Sequence, residues 1–358
     1  MHRSRHEFRA SSLEHGCRTK GPEPRRSGTL TDLDDVRGTT RRYRLYGEVL
    51  ETSSDRFLRA PLTDDPPSVV LSVTSERPVA QWKEAIELHA TPIAPGRHEP
   101  DFRFFSLPDR DVIRIEGSAD FHLLDDRIIC HLLDESEAYL VEIVLAGLAF
   151  AFWLERRGVL TLHGAAASFD GAGAAFLANS GMGKSSVATF MTMSGDPLIT
   201  EDLLVVGLDG QEAPVVHSGL AQLRLWPEQA ARVHEDWQSL EQPHPRFEKR
   251  KVPIGPDGIG SLAAGASPLR RIYLLRRLVA ETGDPTTVQL PAAEAMAALL
   301  QNSYLPEISA RFGWHARRMS QLADLLQAVD VSVLYYPTGF HHLDAVRALV
   351  RSDLGLSA

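Results

Sequence analysis

Short apolar segments interleaved with polar ones dominate residues 43–129. Runs such as 69–73, 112–115 and 121–124 are rich in β-branched and aromatic side chains, with Pro, Gly and Asp clusters between them. The pattern predicts a small β-rich domain over residues 43–135. The period then lengthens to that of a helix over residues 137–156, closed by Arg156, Arg157 and Gly158, a cationic last turn followed by the residue that most readily ends a helix. A connecting helix is therefore expected at 136–158. Its most apolar part, 143–154, is uncharged for about a dozen residues, short of the roughly 18 that cross a bilayer, and reads as a buried helix.

Alternation returns at 159–168 and 174–179, on either side of Asp170-Gly171, two residues that tolerate the positive φ of a tight hairpin. A Gly-rich loop follows, then a helix from Lys184 to about Met193, a turn at 195–197 and an apolar strand at 198–206. Strand, loop, helix, strand is the order of the phosphate-binding P-loop unit. Further on, the pattern predicts strands at 223–225 and 271–275 around a basic loop at 246–251. Helices are expected at 292–302, 321–329 and 343–350, with a short strand at 331–335 between the last two. Residues 1–42, mixing Arg, Ser, Gly and Thr without apolar periodicity, are expected to be a disordered tail.

The Gly-rich loop carries the first candidate chemistry. Ala178-Asn179-Ser180-Gly181-Met182-Gly183-Lys184-Ser185 departs from G-x-x-x-x-G-K-[ST] only at its first position. Glycines there let backbone N–H groups point at phosphate oxygens, and the following helix adds its positive end. Lys184 would meet the β- and γ-phosphates of ATP and the Ser185 hydroxyl would ligate Mg²⁺. Ser180, Gly181, Met182, Gly183, Lys184, Ser185 and Ser186 form the expected nucleotide-binding set. Glu201-Asp202 interrupts an apolar strand beside this loop, a costly placement unless Mg²⁺ and a transferring phosphoryl group receive the charge. Two carboxylates turned out at a strand edge are the bland alternative. His163-Gly164 lies on the strand before the loop, where a hydrogen-bonded core histidine is the competing reading.

Composition narrows the partners. The chain has 358 residues, 43% apolar and 24% charged, with a formal net charge of -9, which disfavours nucleic acid. Cys17 and Cys130 cannot build a disulfide framework and suit a reducing, cytoplasmic setting. No apolar stretch of the signal-peptide kind opens the sequence. Neither a nucleic acid nor a membrane is expected as partner, and assembly into a homo-oligomer stays open.

Taken together, Leu162-His163-Gly164, Asp170-Gly171, the loop from Ser180 to Ser185 and Glu201-Asp202 resemble the catalytic core of HPr kinase/phosphorylase in order and spacing. Weaker likeness extends to HPr-kinase-related proteins encoded beside modified-peptide precursors, at Leu223-Arg224-Leu225-Trp226-Pro227, at Lys249-Arg250 and over 268–275. The resemblance implies an α/β fold, with a P-loop kinase core of the HPr kinase/phosphoenolpyruvate carboxykinase type over 159–352. It implies an ATP-dependent serine kinase acting on a small protein or peptide, with Asp202 as general base, Glu201 on the metal and His163 completing the pocket. Lys249, Arg250 and Lys251 fall where a cationic loop would neutralise the phosphoryl group in flight, or would form a solvated basic turn. Glu201 stands where that family usually has Asp, and the Arg-Gly-x-Gly-Ile-Ile-Asn segment of the bifunctional enzymes is absent. Phosphorolysis is accordingly not implied. A nucleotide-binding sensor or scaffold without transfer is the alternative function.

Overall fold

The computed structural model describes residues 40–54, 59–96, 98–179, 181–208, 213–245, 247–278 and 282–357. The expected tail lies outside them except at its end, where residues 41 and 42 already belong to the first strand. Ser180 also lies outside the described residues.

Eight strands build the first sheet. They are β1 (Arg41–Leu45), β2 (Glu48–Thr52), β3 (Val69–Thr74), β4 (Ile86–Ala90), β5 (Phe102–Ser106), β6 (Asp111–Ile115), β7 (Ala119–Leu123) and β8 (Arg127–Leu132), in the order β1-β2-β3-β8-β7-β6-β5-β4. Strands β4 to β8 form an antiparallel meander, while β3 runs parallel to both β2 and β8. Pleat alternation gives the sheet two unlike faces. Ile113, Phe121, Ile128 and Cys130 turn into an apolar core, whereas Arg114, Asp120, His122 and His131 lie on the other face.

The core-facing side is covered by one helix in three parts: α1 (Tyr139–Val144), a π-turn (Leu145–Ala149) and α2 (Phe150–Arg156). It ends at Gly158, whose φ of 87° is the left-handed conformation glycine adopts freely. Phe150, Phe152, Trp153 and Leu154 are fully buried, so the expected connecting helix is a central packing element.

The second sheet contains β9 (Leu160–Phe169), β10 (Ala172–Leu177), β11 (Leu198–Gly207), β12 (Val215–His217), β15 (Ala266–Leu278), β16 (Thr286–Gln289) and β17 (Asp330–Pro337). Its order is β10-β9-β11-β12-β15-β17-β16, and β10 also pairs with β15, so β9 to β12 and β15 close on one another. Helix α3 (Lys184–Met193) joins β10 to β11. A separate two-stranded ribbon, β13 (Gln222–Leu225) with β14 (Arg250–Pro253), flanks α4 (Pro227–Val233). Its apolar side packs with Ala188 of α3. Four helices complete the chain: α5 (Ala292–Gln301), α6 (Pro306–Arg311), α7 (His315–Ala328) and α8 (Leu343–Asp353).

The chain is thus mixed α/β with several sheets. The hairpin, α3, the strand after it, α5 and the start of α8 fall where the pattern puts them. The strand expected at 271–275 is the middle of the 13-residue β15, and α7 begins at His315. The basic loop is partly a correction: Arg250 and Lys251 are strand residues of β14. No helix among the described residues is long and apolar enough to cross a membrane.

Candidate functional site

Asp170 and Gly171 take φ of 49° and 87°, the two left-handed residues of a tight hairpin, and so deliver β10 directly alongside β9. At the end of β10 the chain turns through Gly181 and Gly183, with φ of 78° and 104°, into α3. A side chain on Gly183 would collide with the Tyr336 hydroxyl, which itself donates to the Met182 carbonyl at 3.2 Å. Above Gly181 there is open space. Lys184 folds back over the loop, its Nζ donating to the Ala178 carbonyl at 2.6 Å. Ser185 Oγ donates to Glu201 Oε1 at 3.0 Å, and Ser186 Oγ receives Gln229 Nε2 at 2.5 Å.

Glu201 and Asp202 lie in mid-strand opposite Ala165 and Gly164 of β9. Asp202 has a φ of 78°, uncommon for a residue with a side chain and typical of strained functional positions. That turn interrupts strand alternation, and both carboxylates reach one cation. Arg224 Nη2 is 2.7 Å from Asp202 Oδ2 and its Nε is 3.5 Å from Glu201 Oε2. His163 Nδ1 lies 3.4 Å from Asp202 Oδ1, and the Tyr304 hydroxyl donates to Asp202 Oδ2 at 3.4 Å.

These contacts set the protonation states. Burial by itself would raise the Asp202 carboxyl, but Arg224, His163 and Lys184 outweigh it and hold the group well below the usual carboxylate range. Asp202 in turn raises Arg224 against the opposing effect of burial. Burial lowers His163 and Lys184, each partly offset by Asp202, so His163 is the neutral imidazole at pH 7. Tyr304 is raised well above its usual value by burial and then by Asp202, so its hydroxyl remains a donor.

The structure therefore brings His163, Lys184, Ser185, Glu201 and Asp202 together. It adds Arg224 and Tyr304, neither of which was singled out as a site residue. Lys249 approaches as well: it sits over the Trp226 ring at 5.4 Å, and its charge helps lower Lys184. Arg250 does not join them, because its guanidinium lies over Trp237 at 5.9 Å and donates to the carbonyls of Glu248 and Lys249. Lys251 is buried against Glu142 at 2.5 Å and Glu241 at 3.0 Å.

Among the described residues no three His, Cys, Asp or Glu side chains cluster to hold a metal by themselves. A Mg²⁺ ion asks less, since it binds through one or two carboxylates when phosphate oxygens and waters fill the remaining positions. Ser185 and Glu201, already 3.0 Å apart, with Asp202 next in sequence, fit that requirement only together with a phosphate ligand.

No family model and no curated protein matches this sequence. Among solved structures, the Hpr(Ser) kinase/phosphatase from Coxiella burnetii is similar over 54% of this chain and 95% of that chain, at 11% identity and a TM-score of 0.28.

Proposed function

We propose that this chain is an ATP-dependent phosphotransferase that passes the γ-phosphoryl group to a hydroxyl of a peptide or small protein. The observation that carries the reading is the bridge from the glycine loop to the acidic pair, Ser185 Oγ to Glu201 Oε1 at 3.0 Å, with Asp202 beside it facing Arg224 and His163. A glycine turn that merely capped a helix would have no need of two carboxylates at its mouth.

In this reading the first-turn N–H groups of α3 and Lys184 bind the phosphates. Ser185, Glu201 and Asp202 would hold Mg²⁺, which when bound would neutralise phosphate charge. Asp202 accepts a hydrogen bond from the acceptor hydroxyl. A carboxylate held so far below the usual range is a weak base, and a loose transition state with late proton loss makes only a weak demand. Asp202 therefore orients the hydroxyl first and takes its proton late. Arg224 and Lys249 stand ready to compensate charge on the phosphoryl group as it moves, the role expected earlier of Lys249, Arg250 and Lys251 together.

Calorimetry with Mg-ATP and a coupled assay of ADP release test this. Lys184→Ala is expected to abolish measurable binding. Asp202→Asn is expected to keep binding within a few-fold and to lose on the order of 10²-fold or more in turnover. Full affinity in the lysine variant would sink the proposal, and binding without any turnover in the parent would favour a nucleotide sensor.

A further inference from the structure

The face of the β13–β14 ribbon that carries Arg224 continues past the end of β13. Register pairs Arg224 with Lys251, and one step further along the same face it sets Trp226 opposite Lys249. Trp226 is still extended, with φ of -64° and ψ of 154°, and Lys249 Nζ stands over its ring at 5.4 Å. Arg250 is paired with Leu225 and leaves by the other face, toward Trp237, which is why it misses the site. Leu223, Leu225 and Val252 fill that other, apolar side with α3.

Two contacts put this indole at the mouth of the glycine loop. Ser186, in the first turn of α3, receives Gln229 Nε2, and the Gln229 N–H donates to the Trp226 carbonyl at 2.9 Å. Lys249, over the ring, is also near enough to Lys184 to help lower its pKa. Trp226 nevertheless keeps 47% of its surface in water, which forgoes a large apolar burial. A single exposed aromatic side chain is commonplace on a protein surface. This one is set apart by its place in a row that begins at the acidic pair.

In the phosphotransferase reading the γ end of the triphosphate lies at Asp202 and Arg224, and its other end runs along the first turn of α3 toward Ser186. The nucleoside leaves the loop on that side. Trp226 stands there, about 7 Å further along the ribbon than Arg224. We infer that Trp226 is the platform on which the nucleobase stacks, with Lys249 held on the opposite face of the ring. The inference deepens the phosphotransferase reading and rests on it. Stacking uses the flat face that every base has and reads no base edge. The donor class is therefore a purine nucleoside triphosphate, adenine and guanine alike, with the smaller pyrimidines held less well. Trp226 touches the base and not the reacting atoms, so its loss should raise the KM for nucleotide and spare kcat.

Calorimetry on the whole protein with Mg²⁺ tests this without any acceptor, using ATP, GTP, CTP and ribose 5-triphosphate as ligands. The last keeps the sugar and the charge of ATP but has no base. ATP and GTP should bind within about threefold of each other and on the order of tenfold or more tighter than ribose 5-triphosphate, with CTP between. Trp226→Ala should bring ATP down to the affinity of ribose 5-triphosphate and leave ribose 5-triphosphate itself unchanged. Trp226→Phe should restore most of the difference, because it keeps an aromatic face. If Trp226→Ala weakens both ligands by the same factor, the indole only supports the ribbon and the platform is overturned. Equal affinity of ATP and ribose 5-triphosphate in the parent overturns it too, and that comparison needs no variant. Failure of the phosphotransferase reading looks different, for then neither ligand binds and the platform falls with it.

Discussion

Arg224 meets Asp202 at 2.7 Å and Glu201 at 3.5 Å, so its removal strands two negative charges in a partly closed site. In Arg224→Met the Asp202 carboxyl loses the strongest of the influences that offset burial, and its pKa rises. A carboxyl with a depressed pKa stays ionised, and stabilises the fold, until pH falls through the folded value. In the variant that loss begins at a higher pH. The acid limb of the pH–rate profile should therefore move upward, with turnover down on the order of 10²–10³-fold. A profile that keeps its acid limb would remove Arg224 from the site. The residue was within reach of sequence reasoning. Gln222-Leu223-Arg224-Leu225 alternates polar and apolar, which puts an arginine and a glutamine together on the side away from the core. What the sequence could not supply was the partner, because Asp202 is brought to Arg224 by packing between two sheets.

At the scale of elements, the first sheet carries an acid-sensitive face. His122 on β7 is fully buried, and burial pushes its pKa down to about 4. Asp120 opposes that shift, while Arg110, His131 and Arg114 reinforce it, and the Trp82 ring stands edge-on at 6.0 Å. The unfolded histidine takes up its proton near pH 6.5, so between that pH and about 4 the unfolded state binds more protons and stability falls on acidification. By pH 5 the loss is on the order of 2 kcal/mol. His122→Leu should flatten the decline in melting temperature between pH 7 and 5, and an equal slope in both proteins would assign the acid sensitivity elsewhere. Elements with local signals were legible in the sequence. Asp170-Gly171 fixed one hairpin, and Gly181, Gly183 and Lys184 fixed a loop and the start of α3. Strands β12 and β16 and helices α4 and α6 have three to seven residues, too few for a period to emerge. The π-turn was equally hidden. Within it a Cβ on Gly147 would stand 3.0 Å from the Tyr304 hydroxyl, a tertiary contact with no local sequence signal.

In the whole molecule the two sheets share one interior. Leu203 and Val205 of β11, Leu305 just before α6 and Ile308 within it belong to the same apolar cluster as Phe121, Ile128 and the helix α1–α2. Glu155 on α2 ties this cluster to α7 through an ion pair with Arg318 at 2.5 Å, both side chains 2% exposed, and to β9 by accepting bonds from Thr161. Arg318→Ala would leave that carboxylate buried without its cation. It should cost about 3–5 kcal/mol, read as a fall in the urea midpoint, with both sheets lost in one transition. The ribbon is the exception to this shared rigidity. Among the described strands β13 and β14 pair only with each other, yet carry Gln222, Arg224 and Lys251, whereas Glu201 and Asp202 sit on a strand inside the second sheet. Ribbon amides should exchange with deuterium sooner than those of β9 and β11, and Mg-ATP should slow them most. The cation and the carboxylates of the site then answer to two different opening equilibria. An observed nucleotide dissociation constant is the intrinsic one divided by the fraction of molecules whose ribbon is closed. Val252→Ala, in the apolar side of the ribbon and away from the acidic pair, should weaken nucleotide binding by lowering that fraction alone.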